Sequence, residues 1–254
     1  MPSTVLFAGS SGPLLTTLMD DAAETGETVI RADPRVSEVS WESGRLHLPW
    51  SPRSPLSARA LTTAGINACG SVDRAVLVAA PAACSASLVD TSISDIERYL
   101  DEQLRSMVYL SRELLRHLSA YTVPANAGSQ GAGSTHAAPE HAASQKAAPE
   151  HAASQKAAPA AGSLIIAVAE PEEAVSESMR SLAYGAVEAF LSTLLDHYRE
   201  SGPPVYGFIG PESGEQAGAY AAYINSECRD RPGKIRGRLQ RYGKRTSLRS
   251  LFRS

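Results

Sequence analysis

Gly162-Ser-Leu-Ile-Ile-Ala-Val-Ala169 begins the stretch that decides the fold. A Glu- and Ser-rich lead-in follows it, then a run from about Ser176 to Glu200 that contains Tyr184-Gly-Ala-Val-Glu188, then the apolar Val205-Tyr-Gly-Phe-Ile209. The short continuous apolar runs read as buried strands. The spacing of Met179, Leu182, Ala183, Ala186, Phe190, Leu194 and Tyr198 reads as a helix with one apolar side. Two buried strands joined by a helix need a parallel sheet to sit in.

Moving outward, residues 4–33 repeat the pattern. Thr4 to Ala8 is a strand and Gly9-Ser-Ser-Gly12 a turn. Pro13 suits the first helical position, and Leu14, Leu15, Leu18, Met19 and Ala22 give that helix an apolar face. Gly26 is a C-cap, and Thr28 to Ala32 is a second strand ending at Asp33-Pro34. A strand, glycine turn, helix and strand with an acid at the second strand's end is the outline of a dinucleotide-binding half. Arg45 to Leu48 is a short third strand, Leu56 to Cys69 a helix, and Asp73 to Ala80 a fourth strand. Ser94-Asp-Ile-Glu97 reads as a capping box opening a long helix over 94–119, and a last helix covers about 215–227. The expected architecture is one doubly wound, Rossmann-like α/β domain with its parallel strands in the order 3-2-1-4-5-6.

Two segments fall outside this pattern. Residues 122–161 hold a ten-residue unit, Ala-Ala-Pro-Glu-His-Ala-Ala-Ser-Gln-Lys, at 137–146 and again at 147–156, with no large apolar residue from 137 to 161. Such a segment cannot bury a core and reads as a disordered, low-complexity insert between the halves 1–121 and 162–228. It joins the end of a crossover helix to the next strand, on the side away from a nucleotide crevice. Deleting 125–160 is therefore expected to leave the melting temperature nearly unchanged. The second segment, 229–254, is a basic tail of ten Lys or Arg and one acid, against 14 basic and 26 acidic residues before it, so the charge divides into +9 and −12. Such a tail docks on its own acidic body, on an anionic or protein partner, or on nothing specific. Arg236 to Arg245 mixes cations with Tyr242, a pattern suited to nucleic acid or anionic lipid. Salt-sensitive binding lost on truncation at Cys228 is the mark of that scaffold reading. No apolar run in the tail reads as a final edge strand, so the last strand is expected to be missing, leaving an edge for the tail or a partner to cover.

Composition excludes other classes. With 43% hydrophobic and 6% aromatic residues the core must be aliphatic. Cys69, Cys84 and Cys228 are an odd number without CxxC spacing, which argues against disulfides and zinc and fits a reducing, cytoplasmic setting. No signal peptide or transmembrane segment is expected. His136, His141 and His151 lie in the alanine repeats without acidic or Cys co-ligands and read as solvated rather than metal-binding. No base is identifiable beside Cys84.

The order of these elements resembles the short-chain dehydrogenase/reductase family over roughly 4–227, the insert excepted. Ala8-Gly9-Ser-Ser-Gly12 stands where the glycine-rich nucleotide turn belongs, Asp73 to Val78 where the strand before Asn-Asn-Ala-Gly belongs, Tyr184 to Glu188 where Tyr-x-x-x-Lys belongs, and Val205 to Pro211 where the strand ending in Pro-Gly belongs. The resemblance implies NAD or NADP as cofactor, held by Gly9, Ser10, Ser11, Gly12 and Asp33, and a homodimer through the helices 94–119 and 176–200. The departures are severe. The later turn glycines fall on Pro13 and Leu15, and Asn-Asn-Ala-Gly reads Ala79-Ala-Pro-Ala82. The helix asparagine falls on Gln103, and the serine position on Glu170 to Glu172. Ser176 and Ser178 stand too near Tyr184 in sequence to take its place. The lysine is Glu188, and a carboxylate there raises the phenol's pKa when a base needs it lowered. Tyr184 is therefore a vestigial candidate, and no catalytic residue, metal or bound cofactor is expected. The leading reading is a degenerate, non-catalytic relative, a pseudoenzyme acting by binding or assembly. The alternative is an active NAD(P)-dependent oxidoreductase that uses Gly9, Gly12 and Asp33 for cofactor and Tyr184 for proton transfer.

Overall fold

The computed structural model describes residues 2–82, 90–122, 162–170, 178–211 and 215–243. The insert from 123 to 161 with its three histidines, Cys84, Pro171, Glu172 and Ser176, and the tail from Lys244 lie outside the described residues.

The strands are β1 (Thr4–Gly9), β2 (Thr28–Asp33), β3 (Ser40–Glu42), β4 (Arg45–Pro49), β5 (Arg74–Ala79), β6 (Ser163–Glu170), β7 (Val205–Pro211) and β8 (Leu239–Arg241). The helices are α1 (Pro13–Glu24), α2 (Pro55–Cys69), α3 (Ile93–Leu100), α4 (Ser106–Thr122), α5 (Ser178–His197), α6 (Glu215–Asp230) and α7 (Pro232–Ile235). They form a single sheet in the order β3-β4-β2-β1-β5-β6-β7-β8, parallel except for the β3–β4 hairpin. Its six central strands keep the expected doubly wound order.

Both sheet faces are covered, which is why the strands are apolar throughout. One layer sets α2, α4 and α5 against Leu6, Ile30, Leu77 and Ile166. The other sets α1, α6 and Ile235 against Val5, Phe7, Val76, Ile165 and Phe208. Ser163 N–H donates to Asp73 O at 3.1 Å, so β6 starts beside the start of β5, at the amino ends of the strands.

Four expectations need correction. First, the last strand is not missing, although it is the tail, one of the two expected covers, that lies on the edge. Leu239-Gln-Arg241 pairs in parallel with Gly207 to Ile209, so a three-residue strand inside the basic tail covers that edge. The backbone register, not an apolar run, makes it a strand. Second, the helix cap is Ser92, whose hydroxyl accepts from Asp95 N–H at 3.2 Å, and the helix starts two residues before the expected box. Third, the long helix is interrupted at Asp101–Arg105 by a π-helical turn. Fourth, α5 buries Met179, Ala183, Val187, Leu191 and Leu195, spaced by four, while Leu182 stays 51% exposed. Its apolar residues run almost all round, so packing rather than periodicity selects the buried face.

Candidate functional site

The upper end of the sheet, at the carboxyl ends of the parallel strands, is where an open α/β fold forms its crevice. Three parts of it can be followed residue by residue.

The first is the β1–α1 turn. Gly9 has φ +119°, and a Cβ there would lie 2.0 Å from Val78 O, so only glycine permits the close approach to β5. Ser10 N–H donates to Val78 O at 2.8 Å. Its hydroxyl donates to Ala80 O at 3.1 Å and accepts from Ala80 N–H at 3.0 Å. The turn is thus strapped to β5 by the groups that would face a phosphate. Ser11 is exposed, and Gly12 is extended with open space where a Cβ would stand. Pro13 is the first helical residue and has no N–H to offer; Leu14 and Leu15 are buried in the layer below.

The second is the end of β2. Asp33 is only 6% exposed. Its Oδ1 accepts from Arg35 N–H at 2.9 Å, and its Oδ2 lies 3.3 Å from Arg31 Nε and 3.9 Å from His47 Nδ1. Both oxygens are turned into the Asp-Pro turn and its neighbours. Beside the glycine turn lies a cavity of about 150 Å³, bordered by Gly9, Ser10, Pro34, Trp50, Glu102 and Gln103. Trp50, 6% exposed, packs at the end of β4, and the π turn of 101–105 brings Glu102 and Gln103 to the wall. Small-molecule sites hold about 300–1,000 Å³. Among the described residues, Ser10 straps the phosphate turn to β5, Arg31 and Arg35 engage the Asp33 carboxylate, and the cavity beside them is smaller than a dinucleotide fills.

The third part surrounds Tyr184. Glu188 stands one turn further along α5, and Arg241 reaches it from β8 to form an ion pair. Arg241 also lies 3.7 Å from Glu170 at the end of β6. The Tyr184 hydroxyl is shielded from solvent beside Arg241 but makes no well-formed hydrogen bond among the described residues. Burial pushes its pKa up, Arg241 draws it down, and Glu170 and Glu188 push it up again; the net direction is upward. Burial, which sequence did not reveal, outranks the two carboxylates. Behind it the fully buried Tyr220 hydroxyl faces Val168 O at 3.5 Å and is held neutral far more strongly.

Sequence reasoning also missed the groups that tie down Ala79-Ala-Pro-Ala82. Arg180 Nε donates to Pro81 O at 3.0 Å, and the Tyr99 hydroxyl donates to Ala82 O at 2.6 Å. Among the described residues no group of His, Cys, Asp and Glu could hold a metal, and no helix is long and apolar enough to cross a membrane.

Neither a protein-family model nor a curated protein matches the sequence. Solved structures do match. A short-chain dehydrogenase from Mycobacterium smegmatis aligns at 14% identity and TM-score 0.64 over 96% of this chain and 93% of its own. An NADH-dependent reductase, A1-R', complexed with NAD aligns at 12% identity and TM-score 0.66 over 94% of each chain. Aldohexose dehydrogenase from Thermoplasma acidophilum aligns at 10% identity and TM-score 0.65 over 95% of this chain and 92% of its own. Nearly the whole chain is therefore built on the fold of the short-chain dehydrogenases/reductases.

Proposed function

We propose that this protein does not transfer hydride and acts by binding or assembly on a short-chain dehydrogenase scaffold. The observation that carries the reading is the Arg241–Glu188 ion pair beside Tyr184. A proton-transfer tyrosine needs a cation that lowers its pKa. Among the described residues the cation beside it, Arg241, is shared between two carboxylates, and the phenol's pKa is raised. The described part of the crevice supports the same reading, because Ser10 straps the turn to β5 and Asp33 is already engaged.

Assembly follows from the outer face of α4 and α5. A groove of about 660 Å³ runs between them, lined by Val108, Leu115, Phe190 and Leu194 with Arg112 and Tyr198 at its rim. This is the homodimer face of the proposal. Sedimentation of wild type against Phe190→Asp tests it: a dimer that becomes a monomer supports the interface, and a wild-type monomer removes it.

A second reading has one observation in its favour. Arg241 sets a guanidinium beside Tyr184, so a positive charge does reach the phenol from another element. On that reading the protein is an NAD(P)-dependent oxidoreductase with an atypical site, using Gly9, Gly12 and Asp33 for the cofactor. Titration with NADH and NADPH, beside Tyr184→Phe, separates the two readings.

A further inference from the structure

We propose that the lower end of the protein, beneath β7, carries a binding site for a small molecule bearing a chain of three or more phosphates. The site is distinct from the upper crevice and stands whether or not that crevice takes a nucleotide. It is a concavity of about 570 Å³ lined by Arg199, Gly233, Lys234, Arg236 and Arg238. Four of its five lining residues are cations and none is an acid.

The fold holds these charges together. Ile235, 3% exposed, anchors α7 in the core, so Lys234 and Arg236 flank a fixed point. Arg236 Nε donates to Tyr198 O at 3.2 Å, and its Nη2 donates to Gly202 O at 2.8 Å. Both partners are neutral carbonyls, so the guanidinium is oriented while its charge stays uncompensated. Gly237 has φ +66°, and a Cβ there would lie 2.7 Å from Arg199 Cγ, so the linker is laid directly on the Arg199 stem. Arg199 Nη2 contacts Asp196 Oδ1 at 2.7 Å, on the outer side, and approaches Gly237 O at 3.5 Å. Lys234 and Arg238 are exposed and make no side-chain ion pair among the described residues. The neighbouring acids of α6 are already engaged, Glu227 with Arg231 and Asp230 with Ser226.

Confining cations this closely costs free energy unless an anion joins them. Planar guanidinium forks and an ammonium suit phosphate oxygens, and the volume suits a small molecule. A compact oligophosphate fits better than a nucleic-acid strand because Arg199, Lys234, Arg236 and Arg238 gather around one concavity. β8 rises from this bowl to the opposite end of the sheet, where Arg241 is committed to Glu188 and Glu170.

The test is calorimetric titration of the full chain with sodium tripolyphosphate, which has no base or sugar to occupy the crevice. One saturable site is expected, weakening as salt rises, with affinity falling by about tenfold or more in the double variant Lys234→Ala/Arg238→Ala. Both residues are exposed, so the variant should melt like wild type, and NADH should not compete. The proposal is overturned by absence of saturable binding, or by a folded double variant that binds as wild type does. It is overturned equally if a single-stranded oligonucleotide or vesicles containing phosphatidylserine bind more tightly than tripolyphosphate through the same two residues, since the partner would then be a macromolecule or a membrane.

Discussion

Replacing Arg241 by glutamine removes a contact from β8 that balances charge around Tyr184. Glu188 then loses its guanidinium partner, and Glu170 loses the guanidinium 3.7 Å away. The magnitude follows from their exposure. Arg241 and Glu188 side chains are 32% and 28% exposed, between a surface pair and a buried one. Exposed pairs contribute about 0.2–1 kcal/mol, and breaking a buried pair costs about 3–5 kcal/mol. Arg241→Gln should therefore cost about 2 kcal/mol, and Glu188→Gln about 1 kcal/mol because Glu170 retains the guanidinium. For a domain of this size 1 kcal/mol shifts Tm by about 2–4 °C, so Arg241→Gln should melt about 4–8 °C lower. The informative assay is a double-mutant cycle in urea with Glu188→Gln, Arg241→Gln and the pair. We expect a coupling of about 1 kcal/mol. Strictly additive effects, within about 0.3 kcal/mol, would refute the view that Arg241 is latched to α5 and would leave β8 as a chance edge strand.

Three further outcomes check the packing. Gly9→Ala should cost about 3 kcal/mol or more in urea unfolding, because a Cβ would sit on Val78 O; a loss under about 1 kcal/mol would mean the turn is not strapped to β5. Leu191→Ala should cost about 2–5 kcal/mol and Leu182→Ala less than about 0.5 kcal/mol, apart from any effect on dimerisation; the reverse ranking would show that α5 presents its other face to the sheet. Burial pushes the Cys228 thiol up to about 12, so at pH 8 iodoacetamide should label it far more slowly in the native protein than in urea. The raised thiol stabilises the fold below the ordinary thiol range, and this contribution fades as pH climbs toward 12; rapid native labelling would contradict both statements.

The central strands were legible because each is a continuous apolar run with a turn at its end, and a sheet covered on both faces demands that composition. The helix phase of α5 was less so. Leu182, Phe190 and Leu194 compete with Val187, Leu191 and Leu195, and only contact with β6 and β7 decides between them. β8 was illegible for a different reason. Leu239-Gln-Arg241 has no strand pattern of its own, and its conformation comes from Gly207 to Ile209. That gap hid the chief electrostatic feature. Glu188 could be read as a carboxylate where a cation would serve a base, but nothing local announced that Arg241 would arrive 53 residues later in the chain. The same gap made the tail look like one basic unit. The fold instead divides it into the bowl around Arg236, the latch at Arg241, and the residues beyond Gly243.

The most direct test of the central claim is calorimetric titration of the purified full chain with NADH and with NADPH, with cooperative melting as the proof of folding. Our account predicts no saturable binding up to about 1 mM of either cofactor, in wild type and in Tyr184→Phe alike. Saturable micromolar binding, accompanied by carbonyl reduction that Tyr184→Phe abolishes, would contradict it and establish the protein as a working oxidoreductase.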